Sequence, residues 1–577
     1  MLVNDNDGSA IRGPDNLTGG LPVTLSTCVA LFLVATAFVN PFRETPRDDD
    51  WAFAETVKHF LETGEYRLNG WLSANSPFQT FWGALFCQPA GFSFGALRVS
   101  TMVLAIIGLV AFRALAIEHR VGRAAANLLT LCIATSPLFF KMSLTFMSDV
   151  PFVVTTTVAL LLYARALRGE TWLRWIAASL AGAAAILTRQ FGVALLGALA
   201  VVWLTDARRF ERFARYVVGA ALPVVATLWQ LNQGWNHPNW AAANTLHRQR
   251  SFFWGIGFLK NVPWRPLVII EYVAWFLMPL ALVAVIAVAG VRRNQSRAAD
   301  LPSRGKAGRL PLELLGWTGL FVGGVFYGAR LIGSPPLMPF LPWNFEILYL
   351  LGMKVRILVT VITIGGAIFF VHFFVRRYVV ESKRPSGPSE WFLDATALFS
   401  LLLALIFFPI GDEYLLIFLP YVAIAVGRQI EPVLLAWGRT VSIVCLALLV
   451  GTAVWTREDL CRNQAIWTLA ERLHDSGVST DQIFADWEWA GYYSFEDYAR
   501  TAPPLATTTF ADFFERWISE RRARAEFLIV HDPLPPAGER WQTIDRYQYF
   551  SVFSRGTETF YAVRRVQTQD REPAASR

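Results

Sequence analysis

Three consecutive carboxylates, Asp48, Asp49 and Asp50, follow Arg47 and precede Trp51-Ala52-Phe53. Adjacent like charges repel one another, so such a run persists where water, a cation or a catalytic task holds it. Phe53, Val57, Phe60 and Leu61 then recur at helical spacing, and Gly64 closes the pattern as a C-cap does. This predicts a short amphipathic helix with the carboxylates on its first turn, where the helix dipole favours their ionised form. The chemistry open to Asp49 and Asp50 is general-base activation of an acceptor hydroxyl, with the second carboxylate as partner. The alternative is a solvated acidic loop.

Three further groups could join them. In Phe146-Met147-Ser148-Asp149-Val150-Pro151-Phe152, Asp149 reads either as a helix cap or as a second carboxylate that shares a divalent cation with Asp49. In Thr188-Arg189-Gln190-Phe191-Gly192, a turn between two apolar spans, Arg189 either snorkels or holds a phosphate in its fork of donors. Gly411-Asp412-Glu413-Tyr414 is a capped turn or a stretch lining a substrate site. The polar connection 233–265 adds Asn236, His237, His247, Arg248 and Arg250 as candidate donor contacts. No phosphate-binding glycine loop, no dinucleotide fingerprint and no HExxH occurs, so neither a nucleotide cofactor nor a zincin site is indicated.

The elements that must position these residues are membrane spans. The 577 residues are 54% hydrophobic and 17% charged, with 22 Trp and 44 Phe, more apolar surface than a soluble chain can hide. Cys28, Cys87, Cys132, Cys445 and Cys461 have no metal-ligand or disulfide-framework spacing. At about 20 residues per crossing, thirteen spans are expected near 21–39, 99–117, 124–140, 149–167, 173–188, 191–205, 215–232, 266–290, 312–330, 357–375, 392–410, 414–428 and 437–455. The first is read as an uncleaved helix. Alternate loops carry the arginines and lysines (Arg120/Arg123, Arg165/Arg168/Arg174, Arg208/Arg209/Arg212/Arg215, Arg292 to Arg309, Arg376 to Arg384), which sets the N-terminus inside and the C-terminus outside. The net charge of +8 belongs to that pattern and not to nucleic-acid binding. Residues 76–97, broken by Pro77, Pro89, Gly91 and Gly95, suit a helix lying in the interface.

After Trp455 the composition changes. A helix near 466–473, strands at 482–485 and 526–530 and a hairpin over 543–566 predict a small α/β domain on the outer face. The chain then divides into a disordered cytoplasmic tail (1–20), a transmembrane catalytic domain (21–455) whose first outer loop (40–98) holds the acidic run, an outer α/β domain (456–566) and a disordered tail (567–577).

These motifs resemble a known family. Asp49-Asp50-Trp51-Ala52-Phe53 with Val57, Phe60 and Gly64 is similar to the Asp-Glu-x-x-Tyr motif and glycine-terminated helix of GT-C fold glycosyltransferases, the protein mannosyltransferase and lipid A aminoarabinose transferase group. Phe146 to Pro151 resembles their second acidic motif, Thr188-Arg189-Gln190 their Thr-Lys/Arg-Gln turn, and Asp412-Glu413-Tyr414-Leu415-Leu416 an Asp-Arg-Tyr-Leu-Leu stretch. Asp50 stands where the family often has Glu, and Glu413 where it often has Arg, a reversal of charge.

The resemblance implies an α-helical polytopic membrane protein with a GT-C-like bundle and a small periplasmic α/β domain. It also implies an inverting transferase that takes a sugar from a polyprenyl-phosphate donor to an envelope acceptor (lipid, glycan or protein) at the bacterial inner membrane. Under it Asp49, with Asp50, supplies the base, Asp149 assists through a divalent metal shared with Asp49, Arg189 and Arg248 hold the donor phosphate, and Gln190, His237, Asp412 and Tyr414 line the substrate. The alternatives are a transporter or flippase for a lipid or glycan, which places charges in broken helices at mid-membrane, and a non-catalytic scaffold.

Overall fold

The computed structural model describes residues 23–73, 75–169, 171–236, 241, 265–284, 319, 353–375, 387–406, 413–501, 510–531 and 541–566. His237, His247, Arg248, Arg250, Asp412, both terminal tails and, apart from Gly319, the span expected at 312–330 lie outside the described residues.

α1 (Leu25–Val39) starts at Thr24, where Thr24 and Thr27 cap each other reciprocally, and ends on Asn40 in the left-handed region. The chain then crosses a short acidic loop into α2 (Asp50–Thr63), closed by Gly64 at φ 75° with its N–H on the Phe60 carbonyl. α2 buries Trp51, Ala52, Phe53, Ala54 and Val57, with Phe60 and Leu61 half-buried, as the spacing predicts. α3 (Pro77–Cys87) keeps Phe81 and Leu85 about half exposed (49% and 56%), the outward apolar face an interfacial helix needs.

Helices then follow along the apolar segments: α4 (Phe94–Glu118), α5 (Arg123–Ala134), α6 (Pro137–Met142), α7 (Asp149–Arg168), α8 (Trp172–Thr188), α9 (Ala194–Thr205), α10 (Phe213–Asn236), α11 (Arg265–Phe276), α12 (Met278–Ala284), α13 (Met353–Val375), α14 (Pro388–Ile406), α15 (Leu419–Gln429), α16 (Glu431–Ala436) and α17 (Gly438–Asp475). Every expected span that falls within the described residues contains a helix. Among the described residues, six helices are long and apolar enough to cross a membrane, seven if one bent pair counts as a span.

Three of the described spans depart from a single straight helix at a proline. The segment at 124–140 breaks at Thr135-Ser136 because Pro137 pushes Ser136 out of the helical region and then starts α6. The segment at 266–290 bends by 100° between α11 and α12, where Pro279 lacks the amide that would continue the helix. The segment at 414–428 opens as a 3₁₀ turn, Glu413–Phe418, ahead of Pro420.

α17 has 38 residues, about 57 Å at 1.5 Å per residue, and runs through residue 456 without interruption. The boundary expected there falls inside a continuous helix, which carries the C-terminal unit as a rigid extension. Beyond it come β1 (Ile483–Phe484), α18 (Trp487–Thr501), α19 (Phe510–Arg524), β2 (Phe527–Val530), β3 (Trp541–Ser551) and β4 (Gly556–Arg565). The sheet order is β1-β2-β4-β3, with β1 and β2 parallel and the rest antiparallel. Ala465, Trp467, Leu469 and Ala470 of α17 pack on Ile483, Phe527, Ile529, Phe560 and Ala562, one core shared by helix and sheet.

This unit docks on the first loop. A Cβ at Gly491 of α18 would lie 2.5 Å from Cε2 of Trp51 in α2, so the helices meet backbone to ring. Gly491→Leu is expected to destabilise the protein by about 1–3 kcal/mol. Limited proteolysis should cut the C-terminal unit faster; an unchanged cleavage rate would contradict the docking.

Candidate active site

The acidic run sits where this docking occurs. The Arg47 Nε donates to Asp459 of α17 at 2.5 Å and its Nη1 to Glu488 of α18 at 3.1 Å. Asp48 takes φ 54°, a left-handed turn that aspartate tolerates better than most residues. It lies 3.5 Å from Arg47 and 3.8 Å from Lys141 of α6. Burial opposes its charge, yet those two cations hold its carboxyl below the usual range.

The turn sends the next two carboxylates in different directions. Asp50 is fully buried (0% exposed), accepts from the backbone N–H of Arg47 at 2.5 Å and of Phe146 at 3.4 Å, and lies 3.9 Å from Arg98. Arg98 in turn donates to the carbonyls of Pro41, Arg43 and Thr45. Asp50 thereby ties α2, α4 and the segment before α7 together. Asp49 is only partly buried, and its Oδ1 accepts the indole N–H of Trp71 at 2.7 Å.

Burial pushes the Asp49 carboxyl up to about 7, opposed by the Trp71 hydrogen bond and reinforced by the charges of Asp48 and Asp149. Burial also takes Asp50 to about 7, against Arg98 and the two amides. The α2 dipole favours the ionised forms, but desolvation outweighs that help, and Asp49 at the N-cap makes no side-chain capping bond.

Asp149 begins α7 and is 2% exposed; its Oδ1 accepts from Nη1 of Arg189, which is 7% exposed at the end of α8. The snorkelling reading of Arg189 is excluded, because the guanidinium turns inward. Its central carbon sits 4.1 Å from the ring centroid of Tyr414, a cation–π contact. Oδ2 of Asp149 has no hydrogen-bond partner. Arg189, Asp149, Tyr414 and Glu413 line a pocket whose remaining walls are mostly apolar: Phe152, Val153, Phe191, Ala404 and Ile417. Gln190, half-buried, opens the 3₁₀ turn after α8 and is not among the lining residues.

Asp49 is not among the residues lining this pocket, but it lies within electrostatic range of Asp149 and Tyr414. The structure brings Asp149, Arg189 and Tyr414 together, with Asp49 in electrostatic range, while Asp50 is held by Arg98 and two backbone amides. A cation at Asp49 and Asp149 would have two carboxylates, one already bonded to Arg189, and no group of three or more metal-ligating side chains occurs among the described residues. A hard divalent ion takes six or more oxygens, so water and substrate phosphate would have to supply the rest of its shell.

Reading the sequence passes over Trp71, Arg98, Lys141 and Glu488. Arg98 and Lys141 were detectable as lone cations inside apolar stretches, a costly placement that calls for a partner. Nothing local marks Trp71 or Glu488.

Fold and site together define a polytopic helical membrane protein with a carboxylate beside an arginine-bearing apolar pocket. Residues 75–230, from α3 through most of α10 and including Asp149 and Arg189, match the family model of dolichyl-phosphate-mannose-protein mannosyltransferases. The resemblance to GT-C membrane glycosyltransferases read from the motifs agrees with that match. No curated protein matches the sequence. Among solved structures, the chain is similar to ArnT from Cupriavidus metallidurans bound to undecaprenyl phosphate (14% identity, TM-score 0.40, 93% of this chain and 97% of that one). It is also similar to the oligosaccharyltransferase AglB from Archaeoglobus fulgidus with an inhibitory peptide and a dolichol-phosphate (12%, 0.42, 87% and 69%). A third is the Saccharomyces cerevisiae protein O-mannosyltransferase Pmt1-Pmt2 complex bound to the sugar donor (13%, 0.31, 41% and 37%).

Proposed function

We propose that this protein is an inverting membrane glycosyltransferase that moves a sugar from a polyprenyl-phosphate donor to an envelope acceptor on the periplasmic face of a bacterial inner membrane. The observation that supports the reading is a partly exposed Asp49, raised to about 7, within electrostatic range of Asp149, which with Arg189 lines a largely apolar pocket. The apolar walls suit the first isoprene units. Arg189, oriented by Asp149, suits the phosphate, where it stabilises the charge that develops as the donor bond breaks. Asp49 takes the proton of the acceptor hydroxyl. The acceptor oxygen then forms its bond to the anomeric carbon as the bond to the phosphate oxygen breaks on the opposite face, and polyprenyl phosphate leaves with the electron pair. Asp50 acts through position only. His237, Arg248 and Asp412 remain candidate contacts to donor and acceptor, and thirteen spans with the C-terminal unit outside is the topology that goes with this chemistry.

A base must be deprotonated to work, so kcat/KM is expected to fall below about pH 7, with the acid limb near the Asp49 value. A pH–rate profile flat from 5 to 8 would contradict Asp49 as base. The function itself is tested by offering protein in lipid vesicles a panel of polyprenyl-phosphate sugars and, separately, nucleotide sugars. Transfer from a lipid-linked donor alone supports the reading; transfer from nucleotide sugars alone overturns it.

One observation favours the transporter reading. Glu271 is fully buried in α11, the helix that breaks at 100°, with the Thr363 hydroxyl of α13 as its hydrogen-bonding neighbour. Substrate movement across vesicles without release of polyprenyl phosphate would establish it.

A further inference from the structure

Trp71 is the hydrogen-bond donor to Asp49, at 2.7 Å. It lies in the loop between α2 and α3, and its indole is gripped by rings from elsewhere: Trp51 of α2 (5.8 Å between centroids), Trp487 and Phe495 of α18 (6.2 and 5.0 Å), and Phe514 and Trp517 of α19 (6.2 and 6.0 Å). The Phe495 contact is edge-to-face at 89°, the arrangement aromatic pairs prefer. The backbone is pinned as well. Gly70 N–H donates to Glu496 of α18 at 2.5 Å, Trp71 N–H donates to Asn69 Oδ1 at 2.9 Å, and Asn69 Nδ2 donates to Glu55 of α2 at 2.6 Å. Trp51 and Trp517, in the same cluster, leave their indole N–H groups without hydrogen-bond partners. Packing alone therefore does not dictate that an indole here finds an acceptor; Trp71 is aimed.

We propose that Trp71 is a positioning residue for the transfer reaction, and that the C-terminal unit, by gripping its indole, fixes the orientation of Asp49. This rests on the reading of Asp49 as general base. A carboxylate that receives a fixed N–H keeps one oxygen bound and the other free for the acceptor proton, a geometry a freely rotating side chain holds only part of the time. The hydrogen bond also favours the ionised form, against burial and the neighbouring charges of Asp48 in its own segment and Asp149 on α7, with the Tyr414 hydroxyl on the pocket side. The C-terminal unit then reaches the chemistry through one ring.

The test uses full-length protein in lipid with a polyprenyl-phosphate sugar donor and compares pH–rate profiles. Trp71→Phe keeps a ring and removes the N–H. The acid limb is expected to move up by about one pH unit and kcat near pH 7 to fall roughly tenfold, with the donor KM unchanged. Trp71→His, which retains a ring N–H, is expected to bring the limb part of the way back. Glu496→Gln, which weakens the grip from the C-terminal side without touching the ring, is expected to shift the limb in the same direction by less. A Trp71→Phe profile that coincides with wild type after scaling for folded protein overturns the proposal, as does an unshifted Glu496→Gln profile if Trp71→Phe does not fold. Asp49→Asn is run alongside. Wild-type rates in that variant sink the assignment of the base itself, whereas an inactive Asp49→Asn with an unshifted Trp71→Phe sinks only the role of Trp71.

Discussion

Asp49→Asn is expected to lower the rate of sugar transfer by about 10²–10⁴-fold, the range of a lost general base. The amide keeps the shape and can still accept from the Trp71 N–H, so the loss reports proton transfer and not misfolding. Stability is expected to move the other way. Asp49 titrates near 7 in the folded protein against 3.8 ordinarily, so the folded state holds its proton to higher pH than the unfolded chain does. By linkage, stability falls as pH rises from 3.8 to about 7, and above that the cost of the buried charge is fully present. Asparagine removes it. Thermal unfolding in detergent should therefore show Asp49→Asn at or above wild type at pH 8, with the gap closing towards pH 4. A variant both inactive and clearly less stable at pH 8 would mean that the carboxylate is structural.

Arg189→Gln is the second large effect. Asp149 is 2% exposed and its charge faces the Arg189 guanidinium, so deleting the cation strands a buried carboxylate at a cost of roughly 3–5 kcal/mol. Loss of the phosphate contact is expected to lower kcat/KM by about 10²–10³-fold besides. The two effects separate in the double variant Arg189→Gln/Asp149→Asn, in which position 149 no longer carries a stranded charge. Its thermal stability should return close to wild type while transfer stays lost. If the double variant recovers transfer together with stability, the arginine serves the fold and does not hold the donor. Arg189→Lys is expected to be intermediate in both, since it keeps the charge but loses the fork that bonds Asp149 while contacting a phosphate.

What was legible in the sequence was local. Asp50 starts α2 and Gly64 ends it because backbone geometry at both ends is written in residue type, and the helix, strands and hairpin after Trp455 follow from short-range periodicity. The breaks at Pro137 and Pro279 were visible too, but average hydropathy over twenty residues smooths across a single missing amide. The meeting of Asp149 with Arg189 follows from topology, because both stand at ends of neighbouring helices. How the three aspartates of the run divide their roles was beyond reach. That depends on the left-handed turn at Asp48, on amides and guanidinium groups up to 96 residues away that claim Asp50, and on an indole 22 residues away that claims Asp49. Burial, which sets their proton affinities, is a property of the assembled fold and overrides the local helix dipole.

The central claim is that sugar leaves a polyprenyl phosphate here and that Asp49 drives it. The direct measurement is release of free polyprenyl phosphate from a donor panel by purified protein in lipid, with crude envelope acceptor, comparing wild type with Asp49→Asn. The account predicts acceptor-dependent release by wild type with at least one donor and none above background by the variant. Equal release from both, or no release from wild type shown to be folded, would contradict it.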